Sequence, residues 1–141
     1  MSQKERVKFL NDRAVPPGRP VVYWMQASLR TGYNHPLEYA IHLANHRRCG
    51  IHVVFCLTPS YPGATVRHYT FLLEGIRDVA GKLKQRGIPF SLWTGDPMNM
   101  AAALRGRAST IVTDRGYLRH QRRWRESLAA DADCPVVQVE S

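Results

Sequence analysis

The densest positive charge in the sequence lies in residues 115–125, which hold five arginines and no acidic residue. On a helix, Arg119, Arg122 and Arg123 would share one face, and Trp124 would lie on another. Such a basic face is suited to phosphate, to a partner domain or to an anionic chromophore. It would equally suit a solvated helix whose tryptophan packs against the core, and the sequence leaves these alternatives open.

Two aspartates follow predicted strands and could serve a site at the strand ends. Asp96 stands between Gly95 and Pro97, a pattern typical of a helix N-cap followed by a first-turn proline. Asp114 directly follows the apolar run 110–113, so we expect it to hold either a ligand or a loop backbone there.

Several well-known chemical motifs are absent from the sequence. It contains no Gly-rich dinucleotide fingerprint, no phosphate-binding P-loop and no Gly-x-Ser-x-Gly nucleophile elbow. His42, His46 and Cys49 follow one another at helical spacing but match no closed metal-ligand set. We therefore predict neither a catalytic residue nor a metal site in this chain.

The elements that must position these residues alternate between strand and helix. Apolar, β-branched or aromatic runs typical of buried strands occupy residues 21–25, 51–57, 89–93, 110–113 and 136–139. Segments typical of helices occupy residues 36–49, 65–86, 97–105 and 118–130. This alternation predicts a three-layer, Rossmann-like α/β fold with a five-stranded parallel sheet, order 3-2-1-4-5, and helices on both faces. Residues 1–20, which end in a proline-rich run, are predicted to form an arm before a single domain over 21–141.

In such sheets, ligands bind outside the carboxyl ends of the strands. The predicted ligand edge therefore comprises the loops 26–34, 58–64, 94–96 and 114–117. The candidate binding residues at this edge are Met25, Gln26, Arg30, Leu57, Asp114 and Arg115. Arg119, Arg122 and Arg123 are candidates for contact with DNA or with another domain.

Composition narrows the class of protein further. The length of 141 residues indicates a single domain. The formal charge of +9 suits a polyanionic neighbour. Its apolar runs are too short for a membrane span, and its polar start lacks a secretory signal, so no membrane partner is expected. Three scattered cysteines suggest free thiols and a cytoplasmic location.

The order of several segments is similar to one known family. Residues 23–26 read Tyr-Trp-Met-Gln and are followed by Arg30 and Asn34, and further similar stretches are residues 52–57, 67–75, 88–90, 111–114 and 122–125. Together they resemble the N-terminal part of class II cyclobutane-pyrimidine-dimer DNA photolyases over residues 6–140.

The resemblance implies an α/β antenna domain that can carry a deazaflavin-type chromophore at the predicted ligand edge. A following helical domain would bind FAD, take up damaged DNA and perform the light-driven repair. This C-terminal FAD-binding domain, the expected partner, is absent from the 141 residues, so we expect the chain alone not to be catalytic. Ala27, Ser28 and Tyr33 replace charged residues of the family pattern in the first loop.

Three functions remain open from the sequence. The chain could be the antenna and scaffold domain of a photolyase or photolyase-like protein. It could instead be a stand-alone α/β module that binds a nucleotide- or flavin-like ligand without chemistry of its own. It could also bind nucleic acid non-specifically through its basic surface, with an affinity that falls steeply as salt rises.

Overall fold

A computed structural model describes residues 7–26, 31–32, 34–57, 66–115 and 119–140, and the side chains of most of them. Arg30 and residues 58–65 lie outside the described residues, as do Ala27, Ser28 and Tyr33. In chain order the elements are β1 (Val7–Phe9), β2 (Val21–Met25), α1 (His35–Arg47), β3 (Ile51–Leu57), α2 (Val66–Gln85), β4 (Phe90–Thr94), α3 (Pro97–Ala103), β5 (Thr110–Asp114), α4 (Arg119–Asp131) and β6 (Val136–Val139).

The described strands form one mixed sheet of order β1-β6-β5-β2-β3-β4. The α/β class with helices on both faces is confirmed, and the five strands β6, β5, β2, β3 and β4 are parallel. The prediction of a five-stranded, all-parallel sheet is wrong, because β1 adds a sixth strand antiparallel to β6. Its register aligns Val7 with Val139 and Phe9 with Val137, so the segment predicted as an arm contributes three residues to the sheet edge.

Strands β2, β5 and β6 are buried on both faces, which is why they read as continuous apolar runs rather than as alternating ones. On one face, Tyr23 and Met25 of β2 pack in a cluster with residues of α1 and α2. On the other face, Trp24 packs in a second cluster that includes Met100 of α3 and Leu128 of α4. The two clusters hold the helices against the sheet and so fix the loops at the strand ends.

Two helix starts follow their local sequence. The Asn34 side chain caps α1 by accepting a hydrogen bond from the Leu37 N–H at 3.0 Å. The predicted cap of α3 is confirmed, since the Asp96 side chain accepts from the Met98 N–H at 2.9 Å. At the end of α1 the residue in the left-handed conformation is Arg48, with φ 56°.

Candidate functional site

Asp114 lies at the carboxyl end of β5, at the centre of the predicted ligand edge. Its side chain is completely buried. The backbone N–H of Gln26, the first residue after β2, donates to both carboxylate oxygens of Asp114 at 3.1 Å. The carboxylate thereby ties the loop that follows β2 to the end of β5. The sequence left two roles open for Asp114, and the described contacts show one of them: its carboxylate holds the backbone of the residue that follows β2.

The contacts of Asp114 continue toward the start of α1. The Tyr23 hydroxyl donates to Asp114 Oδ2 at 3.1 Å, and the Asn34 amide nitrogen donates to that hydroxyl at 3.2 Å. Asn34 is also the N-cap of α1, so one chain of hydrogen bonds joins β5, β2 and the start of that helix. Asp114, Tyr23 and Asn34 are all buried, so a change in the geometry of these hydrogen bonds would cost free energy of folding.

A second polar cluster lies on the other face of the sheet, against α4. Arg125 of α4 is only 5% exposed. Its Nε donates to Gln138 Oε1 at 3.1 Å, and one terminal nitrogen donates to Gln26 Oε1 at 3.3 Å. The Thr113 hydroxyl donates to the same Gln26 oxygen at 3.2 Å, and the Gln26 side-chain nitrogen donates to the Gln121 carbonyl at 3.3 Å. Gln26 is therefore held through both its backbone and its side chain.

Burial lowers the pKa of the Arg125 guanidinium, while the nearby Asp114 carboxylate opposes that decrease. Arginine remains charged at neutral pH in proteins, so Arg125 brings a positive charge beneath the edge. The sequence analysis did not single out Arg125 among the five arginines of residues 115–125. Its helical spacing was the available signal, because Gln121, Arg125 and Leu128 lie on the same, buried side of α4.

The other candidate edge residues divide into buried and accessible ones. Met25 is buried in the core beside α1 and α2, so its side chain faces inward. Leu57, at the end of β3, is half-buried. Arg115 is exposed and donates to Glu140 Oε1 at 3.0 Å, an exposed ion pair of small energetic weight. Leu57 and Arg115 thus offer an apolar surface and a cation at the edge, and the binding role of all these residues stays a prediction.

Arg122 and Arg123 are exposed on α4, as expected for a surface that meets a partner. The side chain of Arg119 lies outside the described part of the helix. Trp124 is half-buried and packs against the cluster that contains Trp24, so it anchors α4 to the sheet. The described exposure allows a solvated face as well as an interface for these arginines.

Two further findings concern a membrane span and a metal site. Within the described ranges, no helix combines the length and apolarity that crossing a bilayer requires. In the same residues no three His, Cys, Asp or Glu side chains come together as metal ligands. His42 and His46, the pair at helical spacing, stack their rings with centroids 6.5 Å apart.

The sheet order and the anchored loop at its carboxyl edge define a doubly wound, Rossmann-like α/β domain. A family model described as DNA photolyase matches residues 21–141. The chain therefore belongs to the DNA photolyase family.

Curated relatives agree with this assignment. The chain is 44% identical over 142 residues to the deoxyribodipyrimidine photo-lyase of Methanothermobacter thermautotrophicus, covering 100% of this chain and 32% of that protein. It is 34% identical to the enzyme of the same name from Potorous tridactylus, covering 98% of this chain and 27% of that protein. The chain thus spans 32% and 27% of the lengths of these two curated relatives.

Two solved structures are similar to this chain in fold only. A universal stress protein from Archaeoglobus fulgidus, solved in complex with dAMP, aligns with a TM-score of 0.55 at 15% identity, covering 86% of this chain and 97% of that one. A universal stress family protein from Burkholderia pseudomallei gives the same TM-score at 22% identity, covering 89% of this chain and 100% of that one.

Proposed function

We propose that this chain is the N-terminal antenna and scaffold domain of a class II photolyase, with residues 21–141 as the domain and 1–20 as an arm whose residues Val7–Phe9 pair with the domain's sheet. The full-length protein would repair cyclobutane pyrimidine dimers by light-driven electron transfer from FAD, and this chain alone would not be catalytic. The observation that carries the proposal is an identity of 44% across the whole chain to a protein of which it covers only 32%. The partners would be the helical FAD-binding domain and, through it, damaged DNA. A cytoplasmic location stays a prediction.

A hybrid protein tests this function. In it, our chain replaces the matched third of the archaeal photolyase, and the rest of that enzyme is unchanged. If the chain is the equivalent domain, the purified hybrid should retain FAD and remove cyclobutane dimers from irradiated DNA only in the light. A folded hybrid that binds FAD but repairs nothing in the light would refute the proposed scaffold role.

We further propose that the carboxyl edge holds a deazaflavin-type antenna chromophore. Leu57 offers apolar surface for a ring system, and the Arg115 guanidinium offers a cation for an anionic tail. Gln26 and Asp114 fix the loop between them through the hydrogen bonds described above. Arg30, Arg119, Arg122 and Arg123 remain candidates for contact with the antenna, the partner domain or DNA.

Ligand titration of the isolated chain tests the antenna. Deazaflavin at a hundredfold excess over its dissociation constant should stabilise the chain by about 2.7 kcal/mol and shift the chromophore's absorbance. Arg115→Ala should weaken binding, whereas Arg77→Ala, an exposed arginine on α2, should leave it unchanged. Equal affinity of the two variants would remove Arg115 from the site.

A stand-alone binding module is the second candidate function. It is favoured by the ligand-side geometry of doubly wound sheets and by the dAMP complex of the structural neighbour from Archaeoglobus fulgidus. A nucleotide should then bind and stabilise the chain, while the hybrid should fail in repair. The same two measurements therefore separate the candidates.

A further inference from the structure

Five arginines surround the amino ends of the adjacent strands β2 and β5. They precede β2, end α1 or lie in the connection between α3 and β5, and they are Arg19, Arg47, Arg48, Arg105 and Arg107. We call these five residues the basic rim. It lies at the end of the strands opposite to the predicted ligand edge.

Hydrogen bonds at the strand ends bring the segments of the basic rim together. The Arg47 guanidinium donates to the hydroxyl of Thr110, the first residue of β5, at 2.6 Å. The N–H of Ser109 donates to the carbonyl of Pro20 at 2.8 Å, which joins the start of β5 to the start of β2. The end of α1 and the two strand starts therefore form one continuous surface.

Asp133 joins the remaining arginines to this surface. One of its carboxylate oxygens accepts from Arg19 Nη1 at 3.2 Å and from the Gly106 N–H at 3.0 Å. Because Gly106 stands between Arg105 and Arg107, the Arg19 guanidinium lies beside the segment that carries both of them.

The basic rim makes the amino edge of the sheet more basic than the carboxyl edge. The amino-edge connections, residues 10–20, 48–50, 86–89, 104–109 and 132–135, contain six arginines and two aspartates, whereas the predicted ligand-edge loops contain two of each. Arg48, Arg105 and Arg107 are exposed, and within the described ranges none of them forms an ion pair. Asp131 lines the same groove as Arg105 but does not pair with it. The rim therefore presents unneutralised positive charge to solvent.

Stabilisation of helix ends accounts for only part of this charge. Cations in the last turn of a helix interact favourably with its dipole, and Arg47 and Arg48 stand at the end of α1. Arg107 follows Ala103, the last residue of α3, by four positions and so lies beyond the range of that effect. Its charge therefore has no role in the packing of the described domain.

We propose that the basic rim binds the phosphate backbone of undamaged duplex DNA. The rim extends from the end of α1 on one face of the sheet to the connection after α3 on the other face. A duplex carries one charge per about 1.7 Å of its axis, so several phosphates can face a surface of that extent. The amino-edge connections contain no phenylalanine, tyrosine or tryptophan, whereas proteins that bind single strands stack the bases on aromatic side chains.

This contact goes beyond the repair function, because the α/β domain itself makes it, without a lesion and away from the proposed antenna site. The choice of DNA among double-stranded polyanions rests on the proposed function. Arginines that contact only phosphate carry no sequence information, so binding should be independent of DNA sequence.

Fluorescence anisotropy of a short, labelled, undamaged duplex with the 141-residue chain tests the proposal. Phosphate contact by the three exposed rim arginines gives a slope of log affinity against log salt of about −2.7. Arg105→Gln with Arg107→Gln should reduce the slope to about −0.9 and weaken binding at about 50 mM salt by at least about tenfold. The charge-matched control, Arg67→Gln with Arg77→Gln, removes two exposed arginines of α2 and should leave the slope unchanged.

A single substitution on the other face of the sheet provides a second test. Arg48 has φ 56°, and asparagine tolerates this left-handed conformation, so Arg48→Asn removes the charge with little backbone strain. It should reduce the magnitude of the slope by about 0.9. Equal far-UV circular dichroism spectra of all variants and the wild type show that the fold is kept.

The outcomes separate this inference from the proposed function. If the α2 control loses as much affinity as the rim variant, only net charge matters and the rim is not the site. If a single strand of the same sequence binds at least as tightly as the duplex, the assignment to duplex DNA is wrong. If the chain does not bind the duplex at about 50 mM salt while the hybrid repairs dimers, the inference is overturned and the proposed function stands.

Discussion

Substituting Asp114 by alanine should destabilise the domain by about 3 kcal/mol, although the residue lies at the rim of the sheet. In the wild-type protein the Gln26 N–H donates to both carboxylate oxygens of Asp114 at 3.1 Å, and the substitution removes both acceptors. A buried donor without an acceptor costs about 1–3 kcal/mol. The Tyr23 hydroxyl loses its acceptor at 3.1 Å but keeps its contact with Asn34, which adds about 1 kcal/mol. Arg125 loses a nearby negative charge as well.

Urea unfolding at neutral pH measures this cost, with the slope of the transition as a check that only stability has changed. For a domain of this size the same loss lowers Tm by roughly 6–12 °C. Asp96→Ala is the matched control, because Asp96 also follows a strand but is an exposed helix cap. It should cost about 1 kcal/mol. An Asp114→Ala variant within about 0.5 kcal/mol of wild type would refute the reasoning.

Three further predictions follow from the same geometry. Asn34→Ala should cost about 2 kcal/mol in urea unfolding, since it removes the cap of α1 and the amide bond to Tyr23. Arg125→Met should destabilise by about 2 kcal/mol, because Gln138 loses its donor, and an unchanged midpoint would contradict the buried cluster. Burial raises the pKa of Cys134 to about 11, so the unfolded thiol ionises first as pH rises. Stability should therefore fall between about pH 9 and 11, and less steeply in Cys134→Ala, which pH-dependent unfolding measures.

The sheet was largely predictable because runs of apolar residues and right-handed crossovers leave few arrangements for the central strands. The sixth strand was not, since Val7–Phe9 is too short for a periodic signal and its partner β6 lies near the other end of the chain. A three-residue strand forms only through this non-local pairing, which local sequence does not encode.

The sequence predicted that Asp114 would lie beside a loop, but it did not predict which side chains are buried around it. Asp114 was expected beside a loop because it follows a strand directly, and it does hold Gln26. Arg125 was overlooked because charge usually indicates exposure, whereas its place on the buried side of α4 overrides residue type. Met25 was expected at the ligand edge, yet the alternation of side chains along β2 directs it into the core.

Light-dependent repair by the hybrid protein tests the central claim most directly. The measurement is the loss of cyclobutane dimers from irradiated DNA in the light and in the dark, with the intact archaeal photolyase as reference. If the chain is a photolyase N-terminal domain, the FAD-bearing hybrid should remove dimers in the light and leave them intact in the dark. A folded, FAD-bearing hybrid with no difference between light and dark would contradict the claim.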